Sequence, residues 1–280
     1  MDYVTRVPRP PLDGLIDDLY CLTGQAPYSR MLVPPMPSAH LMITLTDKLL
    51  IHDAAPGVPL ADCADGWFMG MWTRHYAVDW PTPVRLVGVH FKPWGVHPFT
   101  GIPMTELRDR VVPVEAIWGG FAGEVIERLH AAPTPEVALA LLEKLLWTRL
   151  CDAPPPGLSL VQDVSGRISG THGAVSIGSL SSVAGVSINH LGTQFNRHVG
   201  VPAKRIARIY RFAWVVRSLD PAGLVDWSEL AHRAGYYDQS HFNKEFAAFT
   251  GLNPTEYLHL RRRFLQENPG HALDLGPLPV

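Results

Sequence analysis

Two sets of polar side chains recur at helical spacing in the last third of the chain. In GYYDQSHFNKEF, Gly235 to Phe246, they are Gln239, Ser240, Asn243 and Lys244; in SINHLGTQFNRHVG, Ser187 to Gly200, they are Asn189, Thr193, Asn196 and Arg197. Intervals of three and four place each set on one outward face of a helix. Short amide, hydroxyl and ammonium groups suit the donors and acceptors on base edges, so the chemistry indicated is recognition of double-stranded DNA. Behind each polar face runs an apolar stripe that must turn inward, Leu191, Phe195 and Val199 in one case and Phe242, Phe246, Phe249 with Thr250 in the other. His190 and His241 each precede an inward residue, which predicts a partly buried structural role for both.

Catalytic constellations are missing. Neither GxSxG, HEXXH nor HxH occurs, and the expected catalytic, metal-ligating and cofactor-binding residues are none. His40, His52, His75, His90 and His97 keep one alternative open, a DNA-binding protein whose first domain is a metal-dependent small-molecule enzyme. Cys21, Cys63 and Cys151 form no CxxC pair, so neither a disulfide framework nor a zinc finger is supported and a cytoplasmic location is expected.

The elements that position the polar faces form an internal repeat. LSSVAG (Leu180 to Gly185) aligns with LAHRAG (Leu230 to Gly235) at a shift of fifty, and the two longer stretches at fifty-one. Each copy predicts a short helix behind Ser176 or Asp226, the latter with Glu229 as a capping box, a sharp turn at Gly185 or Gly235, and a second helix behind Ser187 or Asp238. That is helix, turn, helix, twice.

The preceding chain is different. HLMITLT, KLLIHD, WFMGMWTRHYAVDW and VRLVGVHF read as strands broken by turns. FAGEVIERLH and PEVALALLEKLLWTRL read as helices, with Val137, Leu141, Leu145 and Trp147 near one face. CDAPPPGLS then interrupts the pattern. The expected fold is α+β: a β-rich, small-barrel-like regulatory domain with trailing helices over 1–151, a proline-rich linker over 152–159, an all-α DNA-binding domain over 160–265 and a tail over 266–280. Trp67, Trp72, Tyr76 and Phe91 are the candidate lining of a small-molecule effector pocket. Charge supports the division. From Gly170 to Leu265 there are eleven basic and six acidic residues, leaving 13 basic and 20 acidic of the totals of 24 and 26 elsewhere. No run approaches the length of a membrane span, so no membrane partner is expected.

AGYYDQSHFNKEFAAFTGLNPTEY and SSVAGVSINHLGTQFNRHVGVPAKRI resemble the second and first helix-turn-helix units of AraC/XylS-type transcription regulators. The resemblance covers roughly Leu158 to Arg262. It implies that a long helix, here Ala203 to Leu219, joins the units, and that both second helices enter successive major-groove segments about 34 Å apart. Gly192 and Ala203 depart from the family pattern, the first where a base-directed side chain usually stands. GVHFKPWGVHPFTGIPMTEL and VPVEAIWG more loosely resemble the N-terminal domain of a subgroup of these regulators. This implies a one-component regulator with an effector-binding first domain, and RNA polymerase and a second copy of the chain as further partners.

Overall fold

Alternation of apolar side chains makes a strand two-sided, and the first half of the chain uses this to build two facing sheets. A computed structural model describes residues 1–26, 28–53, 60–268 and 278–279. The first sheet has six antiparallel strands in the order β1 (Asp2–Arg6), β2 (Ile16–Gly24), β9 (Val84–Phe91), β4 (Ala39–Thr44), β7 (Gly66–Met69) and β10 (Val111–Pro113). The second runs β11 (Leu278–Pro279), β3 (Arg30–Val33), β8 (Tyr76–Asp79), β5 (Leu49–Asp53) and β6 (Ala61–Cys63). The β-rich half is therefore a pair of sheets rather than a closed small barrel.

Successive side chains leave opposite faces of a strand. Leu19, Cys21, Leu41, Ile43, Phe68, Val87, Val89 and Phe91 accordingly join the apolar cluster shared with the helices, while Tyr20, Leu86, Trp67 and Met69 join Leu49, Ile51, Tyr76 and Val78 between the sheets. Tyr20 pairs in register with Gly88, where a Cβ would lie 2.3 Å from its ring, and stacks on His90 at 4.3 Å. Only glycine leaves that space.

Helices α1 (His97–Thr100), α2 (Val114–Trp118), α3 (Gly120–His130) and α4 (Pro135–Arg149) complete this half. Thr134 caps α4 by accepting from Val137 N at 3.4 Å, and Pro135 follows at the first helical position, where its missing N–H costs nothing. The buried side of α4 carries Ala138, Leu139, Leu142, Leu145 and Leu146. Val137 and Trp147, expected near one face with Leu141 and Leu145, are 46% and 44% exposed while Leu145 is buried. Nearly continuous apolar sequence leaves the phase of this helix open, and buried Glu143 helps to set it by accepting from Arg6 Nε at 2.6 Å and Arg9 N at 2.9 Å beside β1.

After an irregular stretch ending at Gly157, helices α5 (Leu158–Gly170), α6 (Ile177–Val183), α7 (Ile188–His198), α8 (Ala203–Ser218), α9 (Trp227–Arg233), α10 (Gln239–Thr250) and α11 (Pro254–Glu267) form the second half. Helix α5 starts inside the stretch expected to be linker and lies against α7 and α8. One apolar cluster continues from the β-rich half through Phe99 and Met104 to Leu191 and Val201. Among the described residues no helix is long and apolar enough to cross a membrane.

Candidate nucleic-acid interface

Each repeat folds as its caps and glycines dictate. Ser187 Oγ accepts from His190 N at 3.1 Å and Asp238 Oδ1 from His241 N at 2.7 Å, starting α7 and α10. Gly185 and Gly235, at φ +66° and +78°, turn the chain in the left-handed region that side chains resist. Ser176 and Asp226 cap α6 and α9, but the full reciprocal capping box occurs at Asn253 and Glu256 of α11. The long helix between the units is α8, and Ala203 is buried at its start.

Along α7, Leu191 and Phe195 are fully buried, and Asn189, Thr193, Asn196 and Arg197 are exposed. The Thr193 hydroxyl already donates to Asn189 O at 3.1 Å, one turn back, so it meets a partner chiefly as an acceptor. A Cβ built on Gly192 finds nothing within 4 Å. Along α10, Phe242, Phe246 and Phe249 are buried, and Gln239, Ser240, Asn243 and Lys244 are exposed. The structure thus brings each expected polar set together on one surface. His190 and His241 are exposed, contrary to the expected partial burial; each contributes its backbone N–H to a cap, and the His241 ring lies 5.4 Å from that of Tyr236. Ile188 and Tyr237, beside the two caps, are 58% and 94% exposed. Periodicity does not mark these two, because an apolar residue next to a cap reads as core.

Sequence spacing also passed over Glu245, which is only 4% exposed among the phenylalanines of α10. Its position three residues after Phe242 and one before Phe246 is the available signal. The carboxylate accepts from the Tyr236 hydroxyl at 2.9 Å and from Arg208 Nε of α8 at 2.5 Å. Burial and the adjacent carboxylate push the Tyr236 phenol well above its ordinary pKa. Arg205 and Arg208 lie over the Phe249 ring, 4.8 and 5.7 Å from its centre, and Arg211 lies over Tyr236 at 5.1 Å.

These contacts change the meaning of the basic excess. Of the eleven basic residues from Gly170 to Leu265, Arg205, Arg208 and Arg211 are engaged within the fold, Arg262 donates to Pro221 O and Gly223 O, and Arg261 is buried. Arg197, Lys204, Arg217, Arg233, Lys244 and Arg263 remain exposed. Of those six, Arg233 also lies over the Trp214 ring, 5.7 Å from its centre.

In the β-rich half, Trp67, Trp72 and Tyr76 gather between the sheets, with Trp72 and Tyr76 rings 4.3 Å apart. Phe91 does not join them. Strand alternation turns it to the opposite face of the first sheet, against Phe99 at 5.4 Å, and removes it from the expected lining. Among the described residues the indole nitrogens of Trp67, Trp72 and Trp80 are buried without a hydrogen-bond partner. Burial alone raises the Tyr76 phenol above its ordinary pKa, and burial with a smaller contribution from His90 lowers His40 to about 3. A separate cavity of about 430 Å³ opens on the outer side of the sheet, lined by Cys21, Leu45, Arg85, Val87, His130 and Ala138 among others. His40, His52, His75, His90 and His97 were the candidate metal residues; among the described residues no group of three or more His, Cys, Asp or Glu could hold a metal ion.

The β-rich half touches the helical units at the ends of both outward-facing helices. A Cβ on Gly200, just after α7, would lie 2.5 Å from Met104 O, and Arg108 donates to Gly200 O at 3.4 Å. A Cβ on Gly251, the cap of α10, would lie 2.9 Å from the His75 ring. Between them Arg205 donates to Thr73 O, and Asp109 fixes that loop by accepting from Thr73 N and Oγ1 at 2.6 and 2.8 Å.

Residues 180–263 match a family model described as a helix-turn-helix domain, and residues 4–113 match one described as a domain of unknown function (DUF6597). A search of curated proteins finds no match. Among solved structures, ToxT from Vibrio cholerae O395 is similar at 10% identity, with 92% of this chain and 97% of that chain covered and a TM-score of 0.46. Unsaturated fatty acid bound wild-type ToxT from Vibrio cholerae is similar at 11% identity over 91% and 94% of the two chains, with a TM-score of 0.46. The AraC-like transcriptional activator CuxR is similar at 10% identity over 74% and 84%, with a TM-score of 0.23. At such scores the assignment of the second half rests on its own elements and on the helix-turn-helix match.

Proposed function

We propose that this chain is a sequence-specific, one-component transcription regulator of AraC type, controlled by a small molecule held in its β-rich half; the match of residues 180–263 to a helix-turn-helix domain and their folding as two such units support it. The carrying observation is the matched pair of surfaces. Asn189, Thr193, Asn196 and Arg197 on α7, and Gln239, Ser240, Asn243 and Lys244 on α10, stand exposed over buried aromatic stripes. In this reading the polar groups on each helix meet base edges, and the exposed arginines and lysines meet phosphates.

The effector site proposed is the interior between the sheets. Unpartnered indole N–H groups at Trp67 and Trp72 support it, since a buried donor without an acceptor is costly and a ligand acceptor would satisfy it. No catalytic role is assigned to this half. Selection of bound duplexes from a randomised pool with the full chain, followed by a metabolite screen for changes in that binding, tests both parts. Enrichment of no sequence would overturn the DNA-reading assignment.

A further inference from the structure

The contact between the β-rich half and the first helix-turn-helix unit centres on two stacked imidazoles. His97 is the first residue of α1 and His198 the last of α7; their ring centres are 4.6 Å apart, their planes 28° apart, and they are 4% and 0% exposed. His198 Nε2 donates to Pro156 O in the linker at 2.9 Å. Among the described residues His198 Nδ1 and His97 Nε2 are buried without a hydrogen-bond partner. One ring pair therefore joins three parts of the chain.

The surroundings are hostile to a proton. Burial is the chief reason that both rings have pKa values below the ordinary one; a backbone carbonyl at each, that of His97 itself and that of Pro156, offsets part of the shift, and the Arg197 guanidinium of α7 lowers both further. Each element around the pair is uncharged at the contact or cationic. The linker presents the Pro156 carbonyl, Cys151 N donates to Pro98 O at 3.2 Å, and the 3-10 turn Met104–Glu106 brings Met104 to Gly200 with Arg108 alongside. Glu106 and Asp152 are exposed, and no carboxylate is among the charges acting on either ring. His75, which meets the end of α10 from the β-rich half, differs in having Asp53 near enough to offset part of its burial.

We propose that His97 and His198 form an acid-released latch, in which the neutral pair holds the end of α7 and the linker against the β-rich half and a proton on either ring separates them. The sign follows from linkage. Released imidazoles take protons near the ordinary value of about 6.5, whereas the latched pair resists them to lower pH. The latch is therefore at full strength above about pH 6.5 and weakens as pH falls through the window below it. With two protons taken up the release equilibrium changes by up to ~100-fold per pH unit, and with one by up to ~10-fold.

Small-angle scattering of the full chain without DNA, from about pH 7.5 to about pH 5, tests this across the titration of a free imidazole. A reversible increase in radius of gyration below about pH 6.5, with unchanged far-ultraviolet circular dichroism, is expected. His97→Phe keeps a ring in the stack but removes one proton site, so its release should have about half the pH slope. Arg197→Glu, a surface change that leaves the fold intact, places an anion beside the pair and should move release to lower pH. Constant dimensions in the unaltered chain, or an unchanged release midpoint in Arg197→Glu, would overturn the latch. Either result leaves the DNA-binding reading untouched, because no DNA enters the measurement.

Discussion

The Tyr236 hydroxyl donates to Glu245 Oε1 at 2.9 Å inside the second helix-turn-helix unit, across the turn that separates α9 from α10. Arg208 holds the other carboxylate oxygen from the connecting helix, so one buried acid ties the turn, the reading helix and α8 together. Glu245→Ala leaves a buried phenol without an acceptor, which should cost roughly 1–3 kcal/mol. Tyr236→Phe, which removes donor and demand together at one end, should cost less. Urea unfolding of both variants and of the double variant provides the comparison; losses that simply add would mean that Tyr236 and Glu245 do not depend on each other.

Phe246→Ala should be more damaging. The ring is 1% exposed and lies edge-on to Phe212 and Tyr257 at 5.4 and 5.3 Å, so its removal opens a cavity shared by α8, α10 and α11. A loss of ~3–5 kcal/mol is expected, read as a lower denaturation midpoint with an unaltered m-value.

Gly192→Ala should stabilise α7. Nothing lies within 4 Å of the added Cβ, and alanine gains ~1 kcal/mol of helix propensity over glycine. A thermal midpoint that fell would show a close contact at this surface that the helix geometry does not contain.

The two units should read DNA unequally. Lys244 is exposed, whereas Thr193 spends its hydroxyl proton on Asn189 O. Lys244→Ala should relax preference at one or two base pairs by ~1–3 kcal/mol, and Thr193→Ala should change neither affinity nor preference appreciably. A base-by-base profile showing the reverse order would make α7 the principal reader.

Salt dependence should be shallower than the count of basic residues suggests. With six exposed cations available, the slope of log affinity against log salt should be no steeper than about −5. Arg197→Ala should weaken all duplexes alike and reduce that slope by about one.

The second half was legible because each step depends on local chemistry. Ser187, Asp238, Gly185 and Gly235 specify caps and turns by their own side chains or lack of one, and the phenylalanine spacing fixes which face of α10 is inward. The first half was less so. Strands β1, β2 and β3 are paired by long-range register, which leaves little mark on a short run of sequence. Phe91 shows the consequence at a candidate site: its type suited a pocket, but only pairing with Ile16 and Ala39 decides which side of the sheet it faces. The fate of Arg205 and Arg208 was hidden for the same reason, since charge counting cannot tell a solvent-facing guanidinium from one consumed by a carbonyl or a carboxylate.

Strand β11 has a bearing on how this chain can be dissected. Leu278 and Pro279, which follow the DNA-binding helices in sequence, pair with Leu32 and Met31 of β3, and Leu278 is fully buried there. The β-rich half is thus completed by residues from beyond the other half, and the two are not separable by one cut at the linker. A fragment ending before α5 would present the outer edge of β3 with its backbone donors and acceptors unpaired, a template for strand addition between copies. Self-association of such a fragment would then report a missing strand, and supplying the β11 segment as a peptide is the way to restore the native edge.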